Sequence, residues 1–242
     1  MNGTIVNAAA IAAGSLIGLI LKKGISKRFE DSVNKALGLS VLLLGLNGVI
    51  SSMFTAENGI LSSSGTLLLI ISLVVGVLAG EALKIEDRLN GLGDFLGAKL
   101  KQSDFSLGFV NASLIFCVGA MAIIGSVNDG LKGDSSVLYI KSLLDFTSAI
   151  ILSATMGIGV IFSAVSVLLY QGLLTLSAGF IGPLLSDMLL NQICMVGYVL
   201  VMCIGINFLG LTKIKTANFL PALLIPPLVA VGSYLLHLFS IL

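Results

Sequence analysis

Tryptophan is absent, histidine occurs once, and the four charged residue types make up only 10% of 242 residues. Each scarcity excludes something. So few charges cannot cover a water-soluble domain of this length, whose hydrophobic fraction is 57%. A net charge of +1 gives no basis for binding nucleic acid. His237 stands alone, so a metal site would lack partners, and an interfacial side chain is the better reading. Cys117, Cys194 and Cys203 fall within apolar runs without CxxC spacing, which marks buried small hydrophobes rather than ligands or disulfides. No HExxH, GxSxG, P-loop or dinucleotide fingerprint occurs, and no serine has a histidine nearby. The sequence therefore predicts neither an enzyme nor a cofactor. Without tryptophan, anchoring at a membrane interface falls to the tyrosines and phenylalanines.

What is present is apolar length. Eight hydrophobic segments run over residues 3–21, 36–54, 60–83, 106–127, 137–155, 158–178, 189–211 and 217–240. Each approaches the ~20 residues that a helix needs to cross the hydrocarbon core. None alternates with period two, so helices rather than barrel strands satisfy the backbone in lipid. The predicted fold is an all-α polytopic membrane protein, a bundle of about eight transmembrane helices. The segment at 137–155 is among the shortest and is the most polar. Lysines follow the first apolar run instead of preceding it, so that run reads as a retained span and not as a signal peptide.

Orientation follows from the basic residues. Lys22, Lys23, Lys27, Arg28 and Lys35 lie between the first two segments; Lys84, Arg88, Lys99 and Lys101 between the third and fourth; Lys213 and Lys215 between the last two. Eight crossings with both termini outside place all of these in the cytoplasm and leave only Lys132 and Lys141 elsewhere. Leu89, Leu92, Leu96 and Leu100 recur at helical spacing among charges, as in a helix lying in the interface, and Ile25, Phe29 and Val33 form a shorter stripe. Gly14 with Gly18, and Gly76 with Gly80, mark small-residue faces. Such faces pack helices within a chain and are also compatible with a homodimer.

Val6-Asn7-Ala8 opens the first segment and Val110-Asn111-Ala112 the fourth, while Lys35 and Lys141 sit at similar offsets before and within the next segments. The two segments would enter the bilayer from opposite sides. The matches therefore suggest an inverted repeat, residues 3–83 against 106–178, with 189–240 as two added helices and Asn7 and Asn111 as counterparts.

Polar side chains invade the spans mainly between Gly125 and Gly172. Asp145 would lie roughly 12 Å into its segment at ~1.5 Å per residue. An aspartate at a helix centre costs about 2.5–3.5 kcal/mol on insertion scales, so it needs a partner, a cavity or a proton. Lys141 is one turn earlier and can be that partner. Two readings apply: an ion pair that fixes helix packing, or a carboxylate that binds an ion or substrate. Asn128 and Asp129 begin either a solvated turn or a gate. Gly157 and Gly159 mark either a tight connection or a non-helical break lining a cavity. Gln171 adds a neutral hydrogen-bonding amide deep in the next segment. Glu81 has Lys84 close by, Asn207 reads as an interhelical hydrogen bond, and Pro221, Pro226 and Pro227 interrupt the last segment.

Four stretches, GTIVNAAAIAAGSLIGLILKKGI, FCVGAMAIIGSVNDGLKGD with the following KSLLD, GIGVIFSAVSVLLYQG, and INFLGLTKIKTANFLPALL, are spread over nearly the whole chain. Through them the sequence resembles the bacterial multi-pass inner-membrane family known as domain of unknown function 554, the YdfK/YqgA-like proteins. The resemblance implies a bacterial plasma-membrane protein and carries no catalytic or binding residues with it. The function expected from the residues is a secondary transporter or channel for a small ion or polar metabolite. The alternative is a membrane scaffold or assembly factor whose polar groups only pack helices. The partners expected are the lipid bilayer and a small ion or polar solute.

Overall fold

A computed structural model describes residues 1–22, 27–57, 60–91 and 105–239. Its elements in order are α1 (Asn2–Lys22), α2 (Lys27–Met53), a hairpin of β1 (Phe54–Glu57) and β2 (Ile60–Ser63), α3 (Thr66–Leu83) and a helical stretch α4 at 85–91. They continue with α5 (Phe105–Cys117), α6 (Ala120–Lys132), α7 (Ser136–Met156), α8 (Gly159–Leu176), the short α9 (Ala178–Ile181), α10 (Asp187–Phe208), a 3-10 helix (Thr216–Leu224) and α11 (Ile225–Phe239). Among the described residues, seven helical segments are long and apolar enough to cross a membrane, and eight if α5 and α6 count as one bent span. The fold is an all-α polytopic membrane fold. Leu92, Leu96 and Leu100 of the expected interfacial helix lie outside the described residues, as do Ile25 and the side chains of Phe29 and His237.

Several boundaries differ from expectation for local reasons. Residues 60–63 are strand, and α3 starts only after Gly65, whose φ of +82° suits glycine. The segment at 106–127 is not one straight helix. It breaks at Val118-Gly119, bends by 64°, and Gly119 adopts φ 121°, ψ 151°. The segment at 137–155, the most polar in sequence, belongs to a full 21-residue span, α7. The last segment begins as nine residues of 3-10 helix containing Pro221.

The chain packs as two compact units, Met1–Leu39 with Asp87–Leu184, and Ser40–Glu86 with Leu185–Leu242. In the first unit α1 and α7 run parallel at very short range. Gly14 meets the Phe146 carbonyl and Gly18 the Ile150 carbonyl, where any Cβ would collide with backbone. Apolar burial contributes little between helices in lipid, so backbone approach at small residues takes over. The Lys22 ammonium donates to the Thr155 carbonyl at 3.2 Å and so satisfies the C-terminal end of α7. Gly157, at φ +81°, closes α7, and Gly159 opens α8 against the Phe105 carbonyl. The Gly157–Gly159 stretch is thus a tight connection between α7 and α8.

In the second unit Gly76 and Gly80 of α3 lie against Ala222 and Asn218 of the 3-10 helix, antiparallel. Gly45 and Gly48 of α2 receive Met202 and Tyr198 of α10. The Glu86 carboxylate accepts from the Ala217 N–H at 2.9 Å while Asn218 Oδ1 accepts from the Glu86 N–H at 2.7 Å, a reciprocal cap of two helix starts. Glu81 lies 3.6 Å from Lys215, and Lys84, the residue expected to pair with it, instead turns left-handed (φ 52°) to end α3. Asn207 of α10 makes an interhelical bond as expected, its Nδ2 donating to the Thr216 hydroxyl at the start of the 3-10 helix at 3.2 Å. It also staples the turn after α10, bonding both the N–H and the carbonyl of Ile214 at 2.8 Å.

Candidate functional site

The first unit is apolar outside, and its interior carries polar side chains among apolar ones such as Ile11, Phe116 and Leu138. Leu143 and Leu144 are 67% and 53% exposed, whereas the next residue, Asp145, is 6% exposed. That distribution suits lipid around the helices and a polar seam between them.

Asp145 is tenth of the 21 residues of α7, Ser136 being first, so it sits at mid-helix. Its carboxylate accepts from the Lys141 ammonium at both oxygens, 2.9 and 2.7 Å. The spacing of four residues puts both side chains on one face of α7. Asn7 of α1 then donates from Nδ2 to Asp145 Oδ2 at 3.0 Å. Lys141 and Asn7 are 6% and 0% exposed, so a carboxylate, an ammonium and an amide share one dry seam with no net charge. Such a pair holds only while both partners are present, since either charge alone in this setting is strongly unfavourable.

Towards the Met1 end the seam is closed by further contacts. Asp129 of α6 accepts from the Ser135 hydroxyl at 2.9 Å and lies 2.8 Å from the Met1 amino group. Thr4 and Thr175 face one another at 3.3 Å between Oγ1 atoms, joining α1 to α8. Gly130 packs on the Thr175 carbonyl, with Ala178 2.5 Å from where a Cβ would stand. Asp134 is exposed and starts α7 by accepting from the Ser136 hydroxyl and N–H at 2.6 and 3.0 Å. The hydroxyl first, then the N–H, holds its carboxyl below the usual carboxylate range.

The helix break lies near the same depth as the buried pair. Counting from the Asp129–Ser135 contact, Ala120 is nine residues along α6 and Asp145 nine beyond Ser136, about 13 Å in each case. Cys117, the last residue of α5, lies within electrostatic reach of both Lys141 and Asp145. Gly119 at the start of α6 supplies no side-chain cap, and its carbonyl accepts from the Ala122 N–H at 3.2 Å in the first turn of that half-helix.

The structure therefore joins three of the residues singled out in the sequence, Asn7, Lys141 and Asp145. Asp129 belongs to the Met1-end closure, with Asn128 half-buried beside it. Gln171 is fully buried in α8. Asn111 is buried in α5 at 4% exposure and takes no part in the hydrogen bonds of the Asn7–Asp145–Lys141 group. Thr4, Ser126, Ser135 and Thr175 do not stand out in the sequence. Thr4, Ser126 and Thr175 have only position as a signal, one turn from Asn7, Asp129 and Gln171, and Ser135, six residues after Asp129, has none. Cys194 and Cys203 are buried and unbonded, and Cys117 is half-buried.

The model of the family described as protein of unknown function DUF554 matches residues 2–231. The chain belongs to this family. It is similar to the uncharacterized membrane protein YdfK of Bacillus subtilis (strain 168), 35% identical over 241 residues that cover 100% of this chain and 99% of the relative. It is also similar to the uncharacterized protein YqgA of Escherichia coli (strain K12), 27% identical over 230 residues, 92% of this chain and 93% of the relative. No solved structure matches the chain. Membership in DUF554 accords with the several membrane-spanning helices, and the site must be read from its own chemistry.

Proposed function

We propose that this protein is a secondary transporter, or a channel, for a small ion or polar solute across the bacterial plasma membrane. The observation that carries the reading is Asp145, held at mid-helix by Lys141 and Asn7 beside the break between α5 and α6. Buried titratable groups within spans and discontinuous helices near the midplane are recurrent features of ion-coupled carriers. In this reading Lys141 is an internal counter-ion. A proton or cation arriving at Asp145 takes its place, and the released ammonium shifts the balance between two packings of α1 against α7. No enzymatic step is part of the proposal.

The distribution of lysine and arginine supports an orientation with both termini outside, which puts the Met1-end closure on the outer face. An inverted repeat over 3–83 and 106–178 is compatible with such a carrier. The homodimer expected from the small-residue faces gains no support there, because Gly14, Gly18, Gly76 and Gly80 all pack within the chain.

One observation favours the scaffold reading instead. Lys141 engages both carboxylate oxygens, so the pair is complete without any ion. Purified protein in liposomes separates the two. A carrier couples an imposed proton or sodium gradient to solute movement, whereas a scaffold leaves the gradient as it is in empty vesicles.

A further inference from the structure

Gln171 is an anomaly in the packing. It is 0% exposed, and among the described residues neither Oε1 nor Nε2 has a hydrogen-bond partner. An amide buried without partners is strongly unfavourable. Nearly all buried polar side chains in native proteins are bonded, to protein or to ordered water. Asn7 Oδ1 and Ser126 Oγ are also buried and unbonded. A serine hydroxyl can turn back to the carbonyl one turn earlier, but a glutamine amide has no comparable recourse.

The helix register brings these groups into one layer. Thr4 faces Thr175, and Asn7 is three residues beyond Thr4 while Gln171 is four before Thr175. α1 and α8 run antiparallel here, so both lie one turn further from the Met1 end on the same seam. Gly130 packs on the Thr175 carbonyl, and Ser126 is four residues before Gly130 on the same face of α6. The three groups sit behind the Thr4–Thr175 closure and before Asp145, which Asn7 reaches with its other amide atom.

We infer that Asn7, Ser126 and Gln171 form a binding site for a small neutral molecule that both donates and accepts hydrogen bonds, of the hydroxyl or amide class. The open valences include two acceptor oxygens, the donating Nε2 group and a hydroxyl that does either. A cation would satisfy the oxygens and confront the Nε2 hydrogens; an anion would do the reverse. The neighbouring Lys141 and Asp145 cancel, so the layer offers no net charge to an ionic guest. Only a neutral guest with both capacities meets every group. This deepens the transport reading, because it assigns the solute to the layer and the coupling ion to Asp145, and it rests on that reading for the solute's passage though not for its binding.

Water is the smallest member of the class, and thiol chemistry separates it from an organic guest. The three native cysteines are replaced by alanine. Ser126→Cys and Gln171→Cys are then made singly, reconstituted in liposomes and treated with methyl methanethiosulfonate, with Ile11→Cys, a fully buried apolar position, as control. The Ser126→Cys thiol should react about tenfold faster than the control, because a site that admits a small polar molecule also admits the reagent and polar surroundings favour the thiolate. Slowing by molar urea or glycerol identifies an organic guest; a rate indifferent to both identifies water. Slowing supports the site, whereas a rate indifferent to both, which means ordered water only, or reaction no faster than Ile11→Cys, overturns it. Ser126→Cys is nearly isosteric and carries the test alone should Gln171→Cys not fold. The reaction needs no flux. Reactive thiols in a protein that moves nothing count against transport only, and flux with inert thiols counts against this site only.

Discussion

Asn7 and Asp145 are 138 residues apart in sequence and 3.0 Å apart in space, the α1 amide donating to the α7 carboxylate. With Lys141 on the other side, Asp145 is held from two helices, and α1 and α7 are registered against each other by polar as well as backbone contact. The consequences can be measured.

Breaking the pair from one side leaves an uncompensated charge in a dry seam. Lys141→Ala or Asp145→Ala should each lower stability by about 3–5 kcal/mol, while the paired replacement Lys141→Met with Asp145→Leu should cost far less than the sum. Thermal unfolding in detergent micelles reads the difference. Single variants as stable as the double would mean that the two charges are not coupled in the folded protein.

Close approach of α1 to α7 depends on hydrogen at Gly18. A methyl there meets the Ile150 carbonyl, so Gly18→Ala should cost about 1–3 kcal/mol through forced separation of the two helices. Gly179, exposed and with nothing within 4 Å of an added Cβ, is the matched control, and Gly179→Ala should stay within about 0.5 kcal/mol of the parent. Equal effects at both positions would contradict the packing described.

The break between α5 and α6 rests on Gly119, whose φ of 121° and ψ of 151° are open in practice to glycine alone. Gly119→Ala should cost about 1–3 kcal/mol of strain and reduce transport beyond the loss of folded protein. Normal stability and flux in this variant would show that the break is incidental.

Reciprocal capping in the second unit predicts coupling of another kind. Glu86→Ala and Asn218→Ala each remove one cap and should each cost about 1 kcal/mol. Their combination should fall short of the sum, because each cap positions the helix start that the other residue belongs to. Additive losses in urea or thermal unfolding would mean that the two caps act separately.

Much of this architecture was legible from apolar length, because a span must satisfy its backbone internally and so declares itself in sequence. The Lys141–Asp145 pair was legible from cost and spacing: opposite charges in an apolar run each need a partner, and a separation of four puts them on one helix face. What the sequence could not carry was long-range pairing. That Asn7 would bond Asp145, while Asn111 in a matching tripeptide would not join them, depends on which helices become neighbours. Lys35 and Lys141, matched by offset, show the same limit, since Lys35 pairs with Asp31 on the exposed face of α2 and Lys141 is buried. The Gly119 break was hidden because Val118-Gly119 sits in an otherwise unbroken apolar run. Glu81 was matched with Lys84 by proximity in sequence, but the left-handed turn at Lys84 leaves Lys215 nearer.

The central claim is that Asp145 exchanges its ammonium partner for a transported or coupling ion. Asp145→Asn keeps the shape and the bond to Asn7 but removes the charge. In proteoliposomes carrying a proton or sodium gradient, the parent protein should couple the gradient to uptake of small polar solutes, and Asp145→Asn should lose that coupling beyond the loss of folded protein that the unpaired Lys141 causes. Coupled uptake by Asp145→Asn equal to that of the parent would contradict the account.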